Sequence, residues 1–150
     1  MPAAGDRIQA LDFPATQSDT EDTDQTNITT TAAAGSPTCD VTFTAPTSGK
    51  VLVHVGGVGQ DNGANNSVII EPEVREDDAA GAIVAATGTE SRQLILRCNT
   101  STTPASGTRT SLVSGLTAGS TYYAQTMHFS DAGTTADVLS RSIIVQPLAT

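Results

Sequence analysis

The sequence predicts an all-β protein: an antiparallel β-sandwich or jelly roll of about eight strands, preceded by an extended N-terminal arm. Three observations carry that expectation. Aromatic residues are 3% of the 150 residues and Trp is absent, so the core must come from Val, Ile, Leu and Ala, which suits short strands better than thick helical packing. Apolar residues alternate over short runs, and Gly, Pro, Ser, Asp and Asn separate those runs at roughly ten-residue intervals. Residues 1–38 differ in composition from residues 39–150, which divides the chain into an arm and a sandwich domain.

Within the arm, "GDRIQALDFP" (5–14) carries Ile8, Leu11 and Phe13, with Asp6 placed to cap one helical turn and Pro14 to end it. The following "TQSDTEDTDQTNITTTAAAGSPT" (16–38) has almost no large apolar residue and reads as a flexible tether. Three large apolar residues are a poor choice for a tail that touches nothing. The expectation is therefore an anchor that orders on a neighbouring subunit through Ile8, Leu11 and Phe13.

From Cys39 onward the pattern alternates. "CDVTFTA" (39–45) places Val41 and Phe43 on one face, and "KVLVHV" (50–55) does the same for Val51, Val53 and Val55. With "PTSG" as a turn between them, the two runs predict a β-hairpin. "GGVGQDNGANN" (56–66) reads as a reversal, with Asp61, Asn62 and Gly63 at its positive-φ positions. "SVIIEPEVRE" (67–76) is strand-like, with Pro72 confined to an edge, bulge or break. "AIVAAT", "RQLILRC", "TRTSLV", "STYYAQTMHFS" and "ADVLSRSIIVQP" complete the set.

Little in this pattern points to chemistry. The Gly-rich segment lacks the Lys-Ser/Thr ending of a phosphate loop, and Asp61 and Asn62 lack EF-hand spacing. His54 and His128 have no third ligand suggested by spacing and read as exposed or hydrogen-bonded strand residues. Cys39 and Cys98 read as small buried hydrophobes. No serine sits in G-x-S-x-G. Glu71 and Glu73 share a strand face, as a glycosidase pair would, but five aromatic residues are too few to line a sugar cleft. With Glu76, Asp77 and Asp78 they read as a solvated edge that discourages sheet pairing. No catalytic residue, cofactor or metal ligand is expected.

Sixteen acidic and seven basic residues give a net charge of −9, a field that repels nucleic acid. The first twenty residues lack the basic and apolar regions of a signal peptide, and no run is long enough to cross a bilayer. The expectation is synthesis in a cytoplasm and no membrane partner. In "SGLTAGSTYYAQTMH" (114–128), Leu116, Gly119 and Tyr122 have the spacing of a tyrosine corner, in which the hydroxyl bonds back to upstream backbone.

The segments "GDRIQALDFPA" (5–15), "FTAPTSGKVLVHVGG" (43–57) followed by "DNGANN", "RTSLVSGLTAGSTYYAQTMH" (109–128) and "TADVLSRSIIVQP" (135–147) together resemble small structural proteins of tailed actinobacterial phages. The resemblance implies a non-enzymatic virion component, a capsid decoration protein first and a minor tail or fibre-tip protein second. It implies the major capsid protein or other virion proteins as partners and the virion as location. By analogy with sandwich-type decoration proteins it also implies a homo-oligomer, with a trimer as the expected state.

Overall fold

The computed structural model describes residues 13–61, 66–98, 103–132 and 135–149. Ten strands account for most of them: β1 (Gln17–Glu21), β2 (Gln25–Ile28), β3 (Asp40–Thr44), β4 (Lys50–Asp61), β5 (Ser67–Glu76), β6 (Ile83–Ala85), β7 (Leu94–Arg97), β8 (Ala105–Ser114), β9 (Thr121–Ser130) and β10 (Ala136–Pro147). A 3-10 turn covers Glu90–Arg92. All pairings between these strands are antiparallel. One sheet runs β1-β10-β4-β8 with β2 also on β10, and the other β3-β9-β5-β6 with β7 also on β5. The two pack as a sandwich, as the alternation predicts.

The inward faces are those that period-2 alternation marks. Val41 and Phe43 of β3 are buried, as are Val51, Val53 and Val55 of β4. They meet Val68, Ile70 and Val74 of β5 and Val138, Ile143 and Val145 of β10 in one core. Phe43 stacks on Tyr122 with ring centroids 5.8 Å apart.

Three expectations are corrected. The tether is not a free linker: β1 and β2 hydrogen-bond along β10, Ile28 enters the core, and the chain crosses to the second sheet, where Ala33 exchanges backbone bonds of 3.0 and 2.8 Å with His128. Backbone pairing needs no large side chains, so composition alone hides it. The strand count rises from about eight to ten accordingly. Nor do β3 and β4 form a hairpin. β3 pairs with β9 while β4 pairs with β10 and β8, so Pro46–Gly49 carries the chain from one sheet to the other. Two inward-facing valine runs look alike on either side of a hairpin or of a sandwich corner.

The third correction concerns "GGVGQD". These residues continue β4 to Asp61 instead of turning, and Asn62 and Gly63 lie outside the described residues. Gly57 and Gly59 take inward positions where a Cβ has no room: at Gly57 it would lie 2.4 Å from Ile70 Cδ1 and 2.6 Å from Ser140 O, and at Gly59 within 2.8 Å of Val68. They let β4 and β5 approach across the sandwich. Pro72 obeys its constraint. On the side of β5 away from β9, it falls between Ser67–Ile70, which pair with β7, and Val74–Arg75, which pair with β6.

Gly57→Ala is expected to destabilise the fold by about 1–3 kcal/mol through overpacking against Ile70 and the β10 backbone. Urea denaturation checks this, and an unchanged midpoint would contradict the close approach.

Candidate functional site

Ile8 and Leu11 lie outside the described residues. Phe13 is described and is 57% exposed, a large apolar side chain held in water just before β1. Leu116 and Tyr122 are buried, Gly119 has φ 78°, and Tyr122 Oη accepts a hydrogen bond from Thr117 N–H at 2.9 Å. Gly119 N–H donates to Ala45 O at 3.0 Å, which ties this turn to the end of β3. These residues fix a turn and present no reactive group to solvent.

The carboxylates Glu71 and Glu73 do share a face of β5, but not a solvated one. Both are buried on the outer side of their sheet, beneath the chain that follows β6 and the chain that follows β2. Gly88 N–H is shared by both Glu71 oxygens at 2.9 Å, and Gln93 Nε2 donates to Oε2 at 3.3 Å. Glu73 Oε1 accepts from Arg75 Nε at 2.7 Å and from Gln125 Nε2 at 2.8 Å. Burial, with Asp40 alongside, pushes the neighbouring Tyr123 phenol up to about 12. The layer pins covering segments to the sheet, with each carboxylate already engaged by donors of the chain itself. Of the acidic group, Glu76, Asp77 and Asp78 are the exposed members.

A second polar cluster lies between the sheets, and nothing in the sequence pattern announces it. β10 carries a bulge between Val138 and Ser140, which shifts its inward positions from Ala136 and Val138 to Arg141, Ile143 and Val145. Arg141 is thereby fully buried. Its Nη2 donates to Pro37 O at 2.9 Å, while Nε and Nη1 have no hydrogen-bond partner. Among the described residues the ion pair found is Arg75–Glu73, so no carboxylate closes on Arg141. His128, 3% exposed, faces the same region with Nδ1 unpartnered. Burial first, and the nearby guanidinium second, lower its pKa to about 4. It is thus a buried neutral imidazole rather than the exposed or hydrogen-bonded strand residue expected. His54, by contrast, is half-buried on the outer face of the first sheet, with Nδ1 2.9 Å from Thr110 Oγ1. The two histidines sit on different sheets and face different environments. Cys39 and Cys98 are buried free thiols, with the Cys39 thiol pushed up to about 11 by burial and then by Asp19.

A groove of about 470 Å³ lies on the sandwich edge opposite β1. Its walls are Ser111–Ser114 of β8 and, across the gap, Val84, Ala85, Thr89 and Arg92. Among the described residues β8 pairs with β4 alone, and its other side borders the groove. Leu112 is 56% exposed, and Val84 and Ile83 are also exposed. Next to it on the outer face, Leu52 stands opposite Leu112, and exposed Ile144 is its diagonal neighbour through the Gln146–Leu52 pair.

No family model matches the chain, and no curated protein does. Among solved structures it is similar to a chain of the T13 particle of the virus IBDV, with 10% identity and a TM-score of 0.53. What they share is the fold. That match covers 98% of this chain and 36% of the viral one, so the chain spans about a third of that protein's length. A chain of the infectious bursal disease virus Gt strain (14% identity, TM-score 0.35, covering all of this chain and 43% of that one) is also similar. So is a subunit of Bacillus endospore appendage pili (11% identity, TM-score 0.37, covering 98% and 100%).

The His128–Arg141 cluster has a measurable pH consequence. An unfolded chain protonates histidine near 6.5, whereas the folded one holds His128 neutral down to about 4. Between these values the unfolded state binds more protons, so stability is lost as pH falls from about 6.5 to about 4, by on the order of 3 kcal/mol. Unfolding midpoints across that window are expected to slope less in His128→Asn than in the wild type; parallel slopes would contradict the buried neutral imidazole.

Proposed function

We propose that the chain is a non-enzymatic structural protein of a phage virion, one that coats the head as a decoration protein and cements it through its N-terminal arm and subunit contacts. The observation that carries this reading is the architecture: nearly the whole chain is one two-sheet sandwich, of the fold seen in a chain of a viral particle. Two further features support it. The buried carboxylates serve as internal ties, and exposed apolar side chains are grouped at Leu112, Val84 and Ile144 where a neighbour could cover them. The acidic surface keeps such a protein soluble at high local concentration before assembly.

In this reading Ile8, Leu11 and Phe13 bury apolar area on the particle or on an adjacent subunit, worth about 1.5–3 kcal/mol for each large side chain fully covered. Repetition over a symmetric shell multiplies the effect through avidity. Purified full-length protein should co-sediment saturably with particles that lack it. Ile8→Asp/Leu11→Asp should weaken that binding at least about tenfold with an unchanged unfolding midpoint. Undiminished particle binding by the variant would contradict the arm, and saturable binding of the wild type to host envelope instead of heads would favour a tail-tip location.

A further inference from the structure

The outer edge of β8 and the N-terminal arm answer each other. We propose that the groove between β8 and the Val84–Arg92 segment is the acceptor for residues 5–13 of a neighbouring copy, which enters it as an added strand; this rests on the arm-mediated assembly proposed above. Added strands bind through backbone ladders, with alternate side chains filling pockets. An edge of this kind is normally blunted by charge, proline or a cover. Along β8 the cover is partial: Arg109 reaches over the edge to Ser91 O, through Nε at 3.2 Å and Nη2 at 2.5 Å, and the stretch Ser111–Ser114 beyond it borders the groove.

The groove carries its own sign of an incoming partner. Ser111 is 5% exposed, lines the groove, and its Oγ has no hydrogen-bond partner. A buried hydroxyl is seldom left so. An extended backbone laid beside β8 would bring amide and carbonyl groups to it.

The arm has the matching pattern. In an extended "DRIQALDF", Gln9, Leu11 and Phe13 fall on one face and Ile8, Ala10 and Asp12 on the other. Leu11 and Phe13 directed inward would meet Val113 and Ala85, and Ile8 would then lie outside, against Leu112. One arm carboxylate, Asp6 or Asp12, would complement Arg92 in the groove wall.

Strand register places the donor in a second copy. Gln17 pairs with Val145, Val145 with Val53, and Val53 with Ser111, so the start of β1 and the groove lie on one cross-strand row at opposite edges of the sheet. Three ladder spacings are about 14 Å. Residues 13–16 fully extended reach about 14 Å at most. Docking into the same copy therefore leaves no slack, whereas a copy alongside presents its groove without that constraint. Because β1 lies at one edge and the groove opens on the other, the contact is head-to-tail, and its repetition gives a ring where the rotation closes and an open chain where it does not.

The test uses two full-length variants and measures mass by sedimentation equilibrium. Leu112→Glu/Val84→Glu blocks the groove at two already exposed positions and retains the arm. Ile8→Asp/Leu11→Asp disables the arm and retains the groove. Wild type is expected to assemble, each variant alone to be monomeric, and their mixture to give a one-to-one heterodimer in which amide exchange at Ser111–Ser114 slows at least about tenfold. A monomeric wild type, a mixture that stays monomeric, or a groove variant that assembles like wild type would overturn the proposal. Particle binding separates the two readings: a groove variant that binds heads normally leaves the virion role standing, and a ring-forming wild type that binds no particle removes that role while the groove remains.

Discussion

The approach of β4 to β5 across the sandwich is the constraint on which the other features depend. Without Trp, and with few aromatic rings, the interior is filled by Val, Ile and Leu, and the sheets must come close for such side chains to interlock. Gly57 and Gly59 permit it, by leaving room for Ile70 and Val68 where a Cβ would collide. β4 pairs along nearly its whole length with β10, so the position of β4 fixes that of the longest ladder in the first sheet. β10 in turn receives β1 and β2 on its far side.

Polar groups are handled by covering them. On the outer side of one sheet, Glu71 is roofed by a segment whose Gly88 N–H and Gln93 side chain supply its donors, while Glu73 is held by Arg75 and Gln125 of the sheet itself. Arg141 is carried inward by the β10 bulge and closed over by the chain through Pro37, at the cost of two unpartnered nitrogens. A buried cation with so few partners costs stability, which the packing around it must offset. The same segment that covers it, residues 29–39, bonds to β9 and so links the two sheets along one side. The opposite side, between β8 and β6, has the groove instead. The asymmetry gives the molecule one closed edge and one receptive edge.

Much of the domain was legible in the sequence. Alternation identified the inward faces of β3 and β4, and the fixed φ and missing N–H of Pro72 confined it to a gap in the pairing. What alternation does not encode is which strand lies beside which: Val41–Phe43 and Val51–Val55 have the same pattern in a hairpin and in a sandwich corner. Glycine carries a similar ambiguity, since residues 56–59 suit a reversal as well as a strand that must meet another backbone closely. β1 and β2 were invisible because their stability comes from the ladder on β10, and Arg141 was invisible because a one-residue bulge reverses facing without changing composition. The groove depends on non-local placement of β8 and the Val84–Arg92 segment, which no local pattern specifies.

In the proposed reading these are the features of a repeating subunit: an acidic composition, a groove along one edge and an apolar N-terminal segment. The most direct measurement is the copy number of this chain in purified particles, by quantitative mass spectrometry against the major shell protein. A head decoration predicts on the order of hundreds of copies per particle, in a fixed ratio to the shell subunit as closed symmetry demands. A handful of copies, or none, would contradict it.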